Sequence, residues 1–111
     1  METMSFFLSI FMRVIKRKTL IDLAIKYPQT KKQLDIWYDE VAKADWKDPN
    51  DVKREYPKAS ILKNGRIVFD IVGGYFRLIV KVEYRFQVVY ILFFGTHREY
   101  DKVDADEVDL Y

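Results

Sequence analysis

Cysteine is missing from all 111 residues, so neither a disulfide framework nor a thiolate metal site is open to this chain. That absence suits a reducing cytoplasm. Histidine is nearly missing too: the sequence holds one, His97. With no thiolate, no second imidazole and no acidic cluster at metal-ligand spacing, the sequence predicts no metal and no cofactor. A membrane-spanning run is also lacking. Residues 5–12 are apolar but far short of the roughly 20 residues that cross a bilayer. No Lys or Arg precedes them and no small-residue cleavage site follows, which argues against a secretory leader. Internal repeats and low-complexity segments are absent.

What is present is enough for one domain with a real core. Half of the residues are apolar and 16% are aromatic. The net charge of +2 hides a segregated pattern. Counting Lys and Arg against Asp and Glu, residues 1–32 carry +5, 33–52 carry −4, 53–85 carry +5 and 98–111 carry −4. Alternating blocks of this kind fit a polyanion-binding face with acidic rims, and they equally fit scattered solvated charge. The run MRVIKRKTL reads as the opening of a compact domain, so residues 1–11 are expected to be an N-terminal extension and 12–111 a single domain.

Met12 to Lys16 alternates apolar and basic residues, the pattern of a short first strand. Thr19 and Thr30 stand where helix caps are needed. Leu20, Leu23 and Ala24, then Leu34, Trp37, Tyr38 and Val41, recur at helical spacing on either side of Tyr27-Pro28. Two helices in a hairpin are predicted. Asp45 to Ser60 has two prolines, many charges and no sustained period, and reads as a long surface connection with a turn of helix near Val52. Beyond Lys63-Asn64-Gly65, the segments 66–72, 75–85 and 88–95 are rich in Val, Ile, Phe and Tyr. They predict a three-stranded antiparallel meander, completing an α+β fold with two helices on one face of a small antiparallel sheet.

Strand parity sorts the middle segment. Tyr75, Arg77, Ile79, Lys81, Glu83 and Arg85 share one face, while Phe76, Leu78, Val80, Val82 and Tyr84 share the face expected under the helices. If Arg66 or Asp70 joins the first set, a basic surface ringed by Tyr75 and Tyr100 results. Cations interleaved with flat rings are what single-stranded nucleic acid requires. An ordinary solvated sheet face would carry the same alternation.

The runs KREYPKASILKNGRIVFDIVGGYFRLIVKVEY and VYILFFGTHREYDKVDA resemble the HigB-type toxins of bacterial toxin–antitoxin pairs, within the RelE-like group of messenger-RNA endonucleases. The likeness extends over about residues 12–108, and NGRIVFDI, YFRLIVKV and GTHREYD are its most specific elements. It implies a RelE-like sheet-and-helix fold and a cytoplasmic, ribosome-dependent mRNA interferase. Its partners would be mRNA on the ribosome and a helix-turn-helix antitoxin, in a toxin–antitoxin hetero-oligomer, with no membrane. Members of the group often have Asn where this chain has Asp70. A carboxylate there either weakens RNA binding or pairs with Arg66 or Arg77.

Metal-free RNA cleavage must deprotonate the 2′-hydroxyl, neutralise the phosphorane and protonate the leaving 5′-oxygen. With the resemblance in hand, His97 is the expected proton carrier, since imidazole both accepts and donates near neutral pH. Arg77 and Lys81 are expected to stabilise the transition state, and Tyr100 to stack on a base or donate a proton. Arg66, Arg85, Tyr75 and Asp70 are the expected RNA-binding residues. Asp101 either orients His97 or begins a solvated tail, and the tail is the expectation. Two other readings fit the same residues: a gyrase-type poison on the same fold, and a noncatalytic RNA- or ribosome-binding module in which His97 would be silent.

Overall fold

A computed structural model describes residues 12–109; the segment 1–11, read above as an extension, lies outside them. The chain folds as α+β. Five strands are β1 (Arg13–Ile15), β2 (Ser60–Ile61), β3 (Arg66–Ile71), β4 (Phe76–Glu83) and β5 (Val88–Thr96), in the order β1-β5-β4-β3-β2. Helices α1 (Arg17–Ala24) and α2 (Lys31–Lys43) follow β1, with a 3-10 turn, Pro28–Thr30, between them. Helix α3 (Pro49–Glu55) precedes β2, and α4 (His97–Asp101) follows β5. None of these helices is long and apolar enough to cross a membrane.

The meander forms as its sequence pattern requires. Arg66 pairs with Lys81 and Ile71 with Phe76 across β3–β4, and Phe76 pairs with Thr96 across β4–β5, all antiparallel. The sheet as a whole is mixed, because β1 runs parallel to β5, with Arg13 opposite Val88 and Ile15 opposite Tyr90. Alternation specifies that a segment is a strand; it says nothing of the direction of the neighbour. Both edge strands are very short, so neither offers a long template to which another chain could add a strand.

Helical spacing buries Leu20, Leu34, Trp37 and Val41 against Ile67, Phe69, Leu78 and Val80 in one continuous core. The predicted caps act differently. Helix α1 starts at Arg17, ahead of Thr19. Thr30 does precede α2, but its buried hydroxyl donates to the Tyr27 carbonyl at 2.7 Å instead of capping the helix. The stretch read as a surface connection supplies core: Trp46, Val52 and Ala59 are almost wholly buried. Asp48 caps α3 through the amides of Asn50 and Asp51. The turn into β3 depends on Gly65, whose φ is +76° and whose missing Cβ would sit 2.6 Å from the Val82 carbonyl oxygen.

A bulge sets the far half of β5. Ile79 faces Phe93 but Val80 faces Ile91, so Leu92 is the extra residue. Before it Val89 and Ile91 point to the helices, and beyond it Phe94 does, while Leu92 joins Val68 and Ile79 on the opposite face. That second face is not bare. Tyr100, Val103, Ala105 and Val108 pack on it, so the chain's last described segment lies across the sheet.

Candidate functional site

Parity along β4 holds. Ile79 belongs to the cluster on the open face, with Arg77 and Lys81 on either side of it, and Leu78, Val80 and Val82 go to the helix side. Arg77 is enclosed: its side chain keeps 20% of its exposure. Its Nε lies 3.3 Å from Asp70 Oδ1, its cross-strand partner. The same guanidinium donates to the Gly74 carbonyl and lies 5.6 Å from the centre of the Tyr100 ring. Of the two arginines open to Asp70 as partners, Arg77 is the one it pairs with. Lys81 is more open. Its Nζ sits 3.3 Å from Glu83 Oε1, on the side away from Arg77.

Helix α4 grows from the end of β5 through a capping box. Thr96 accepts the Glu99 amide at 3.1 Å, and Glu99 Oε1 accepts the Thr96 amide at 2.8 Å. The Tyr27 hydroxyl donates to the same Oε1 at 2.9 Å. The Thr96 amide first, then the Tyr27 and Thr96 hydroxyls and the nearby Lys26, hold the Glu99 carboxyl below its usual range against the opposing effect of burial. The Glu99 bond, followed by burial, pushes the Tyr27 phenol up. A Cβ on Gly95 would come within 2.8 Å of Glu99 Oε1, so a larger residue there would require the carboxylate to shift.

His97 is the first residue of α4. Its amide donates to the Tyr75 carbonyl at 2.8 Å, and Nε2 lies 3.4 Å from Asp101 Oδ2, one turn on. Asp101 was expected to begin a solvated tail; it faces His97 instead, because residues i and i+4 share a helix face. The imidazole is more than half exposed. It borders a hollow of about 460 Å³ at the end of the sheet, together with Tyr75, Phe76, Gln29 and Arg98. Tyr75 projects from the β3–β4 turn, 74% exposed. Helix α4 therefore joins two surfaces, with His97 on the end hollow and Tyr100 over Arg77 on the open face.

The remaining cations lie elsewhere. Arg66 stands opposite Lys81 but donates to the carbonyls of Ala105 and Val108, both at 2.9 Å, and so secures the C-terminal segment. Arg85 lies in the turn after β4, 5.4 Å from the Phe86 ring. The six residue steps from Arg77 to the end of β4 at Glu83 span ~20 Å, so Arg85 lies at the opposite end of the sheet. Sequence reasoning passed over Gly95, Thr96, Glu99 and Tyr27. A Thr followed three residues later by Glu was a legible signal for the cap; nothing local advertised Tyr27 as its partner.

The family model for the HigB toxin, described as the RelE-like toxic component of a toxin–antitoxin system, matches residues 30–103. The mRNA interferase toxin HigB of Escherichia coli strain K12 is 35% identical over 92 residues, covering 81% of this chain and 88% of the relative. The mRNA interferases HigB of Escherichia coli O157:H7 and Shigella flexneri match to the same extent. The match spans the meander and the whole of α4, and on it the chain belongs to the HigB family of RelE-like toxins.

Proposed function

We propose that this chain is a ribosome-dependent mRNA endonuclease, the toxin of a toxin–antitoxin pair, which cleaves RNA through its own 2′-hydroxyl without a metal. It would act in the cytoplasm, where translating ribosomes present the message, and be restrained by a helix-turn-helix antitoxin. The observation that carries the reading is His97 itself: an exposed imidazole at the head of α4, paired with Asp101 and bordering a hollow that Tyr75, Phe76 and Arg98 help to line. The relatives' names supply the substrate class.

In this mechanism the 2′-oxygen attacks the adjacent phosphorus and the bond to the 5′-oxygen breaks. The products are a 2′,3′-cyclic phosphate and a free 5′-hydroxyl. His97 carries one of the two protons that move, and Asp101 orients its ring and steadies the imidazolium. Tyr100, on the same short helix, is the candidate for the second proton. Arg77 offers its guanidinium to the phosphorane from beneath Tyr100, while Asp70 fixes the direction of the fork. Tyr75 provides a face for a base. Lys81 stands four residues along β4, ~13 Å from Arg77, and suits a neighbouring phosphate better than the scissile one. Arg66 acts through the C-terminal segment it holds, and Arg85 touches the message or the ribosome only at a distance.

Induction of the wild type should arrest growth and leave new 5′ ends within translated messages, mapped by primer extension. His97→Ala should reduce cleavage by about 10²–10⁴-fold while the protein stays folded, the usual range for one positioned proton carrier. Full toxicity in His97→Ala would sink the mechanism, and DNA damage with intact messages would favour a gyrase-type poison.

A further inference from the structure

Helix α4 is five residues long, and a helix that short has no orientation of its own. Its direction is imposed from outside. On one side the Tyr100 ring rests on the open-face cluster of Val68, Ile79 and Leu92. On the other, the Tyr27 hydroxyl reaches across 72 residues of sequence to Glu99 Oε1. That single oxygen also accepts the Thr96 amide, so one atom both closes the helix start and ties it to the segment after α1. Tyr27 is itself held, its ring 5.0 Å from Phe76 and 6.5 Å from Phe94. Phe76 follows Tyr75, whose carbonyl receives the His97 amide. The contacts form a closed circuit: Tyr27 to Glu99, Glu99 to Thr96, His97 to Tyr75, and Phe76 back to Tyr27.

We propose that Tyr27 and Glu99 are a positioning pair that sets the height and rotation of α4, and through it the imidazole of His97, for the cleavage step. Neither touches RNA. The inference rests on His97 being the proton carrier. Three choices in the sequence serve this one bond: a glycine at 95 that leaves room for the carboxylate, a threonine at 96 that receives the returning amide, and a phenol at 27 where phenylalanine would pack equally well. A helix cap alone requires only the second. The phenol is the part that links α4 to the core, and it is the part to remove.

The test is steady-state cleavage of ribosome-bound mRNA by Tyr27→Phe, Glu99→Gln, Glu99→Ala and the Tyr27→Phe/Glu99→Gln double variant. Tyr27→Phe and Glu99→Gln should each lower kcat about tenfold with KM within about twofold, since a misaligned reacting group loses turnover and not binding. Because the Gln oxygen still accepts from the Tyr27 hydroxyl, Glu99→Gln weakens the bond that Tyr27→Phe removes, and the double variant should be no worse than Tyr27→Phe alone. Glu99→Gln should retain more activity than Glu99→Ala, because the amide oxygen still accepts from Thr96. Wild-type rates in Tyr27→Phe, additive losses, or losses appearing in KM would overturn the pairing.

A second measurement does not depend on cleavage. In NMR spectra, Tyr27→Phe should displace the His97 ring signals and the Thr96 and His97 amides, whereas Tyr84→Phe should leave them in place. Unmoved His97 signals in Tyr27→Phe would refute the pairing even if the chain proved not to cut RNA. Displaced signals in Tyr27→Phe, together with a wild type that leaves mRNA intact, would instead sink the proposed function and leave the pair standing.

Discussion

Arg77 is held by a carboxylate, a carbonyl and a ring, and its freedom to meet a phosphate depends chiefly on the first. Its pair with Asp70 is partly exposed on both sides, at 20% and 37%, so the contact is worth no more than about 1 kcal/mol. Asp70 nevertheless places a negative charge where a phosphate would approach. Asp70→Asn keeps the side chain's shape and a hydrogen-bond acceptor while removing that charge. The expected result is an RNA affinity higher by about three- to tenfold at low salt, the advantage shrinking as salt screens it, with a loss of stability under about 1 kcal/mol. Binding titrations at two salt concentrations decide the matter; weaker binding by Asp70→Asn would mean that orienting the fork matters more than the charge. His97 and Asp101 form the analogous pair on α4. There the carboxylate faces the imidazole from one turn away and leaves the front of the ring to the hollow.

Between elements, the cap on α4 and the segment around Trp46 show what the sequence disclosed and what it withheld. Thr96→Ala removes the acceptor for the Glu99 amide and should cost about 1 kcal/mol in denaturant unfolding. The Glu99 carboxyl is held below its ordinary value of 4.5, so its contribution is fully present above that pH and disappears as pH falls through the lowered value. The stability gap between wild type and Glu99→Gln should accordingly be widest near neutrality and close in acid, as unfolding curves across that range would reveal. Trp46 is buried to 1% and stacks 6.4 Å from Phe69, with Nε1 donating to Glu55. Trp46→Ala should cost about 3–5 kcal/mol, enough to threaten the fold of a domain this size. A loss below about 1 kcal/mol would show that the segment is not core. The strands of the meander were legible because they are rich in Val, Ile, Phe and Tyr, β4 alternates, and glycines mark the turns before β3 and β4. Trp46, Val52 and Ala59 were not, because isolated apolar residues between prolines and charges have no period; only the sheet beneath them gives them a common side. The bulge at Leu92 was equally silent, since β5 is apolar on both faces and either phase reads alike. Its consequence reaches the site: one residue's difference in phase would send Phe94 to the open face and alter how α4 leaves the sheet.

At the scale of the whole molecule, charge and core divide the work of the open face. The acidic C-terminal stretch lies across the sheet, secured by Arg66 and by burial of Val103, Ala105 and Val108 on Val68, Ile79 and Leu92. Of the cations assigned to this face, Arg66 is spent on that fastening and Arg77 is enclosed, which leaves Lys81 as the more open one, 41% exposed and flanked by Glu83. An open lysine beside a groove attracts phosphate as a point charge; it cannot fix geometry as a guanidinium fork does. Its contribution should therefore appear in binding and not in chemistry. Lys81→Ala should weaken association with single-stranded RNA and flatten the slope of log affinity against log salt by about 0.7, the value for one phosphate contact on a single strand. Cleavage within the bound complex should change by less than about twofold, since only contacts strengthened in the transition state lower turnover selectively. His97→Ala should do the reverse, lowering cleavage by about 10²–10⁴-fold while leaving the salt slope as it was. Measuring both variants at four or five salt concentrations separates the two roles. A large fall in turnover for Lys81→Ala with an unchanged slope would move the ammonium to the scissile phosphate, and the RNA path would have to run farther along the open face, past Arg77 towards Lys81.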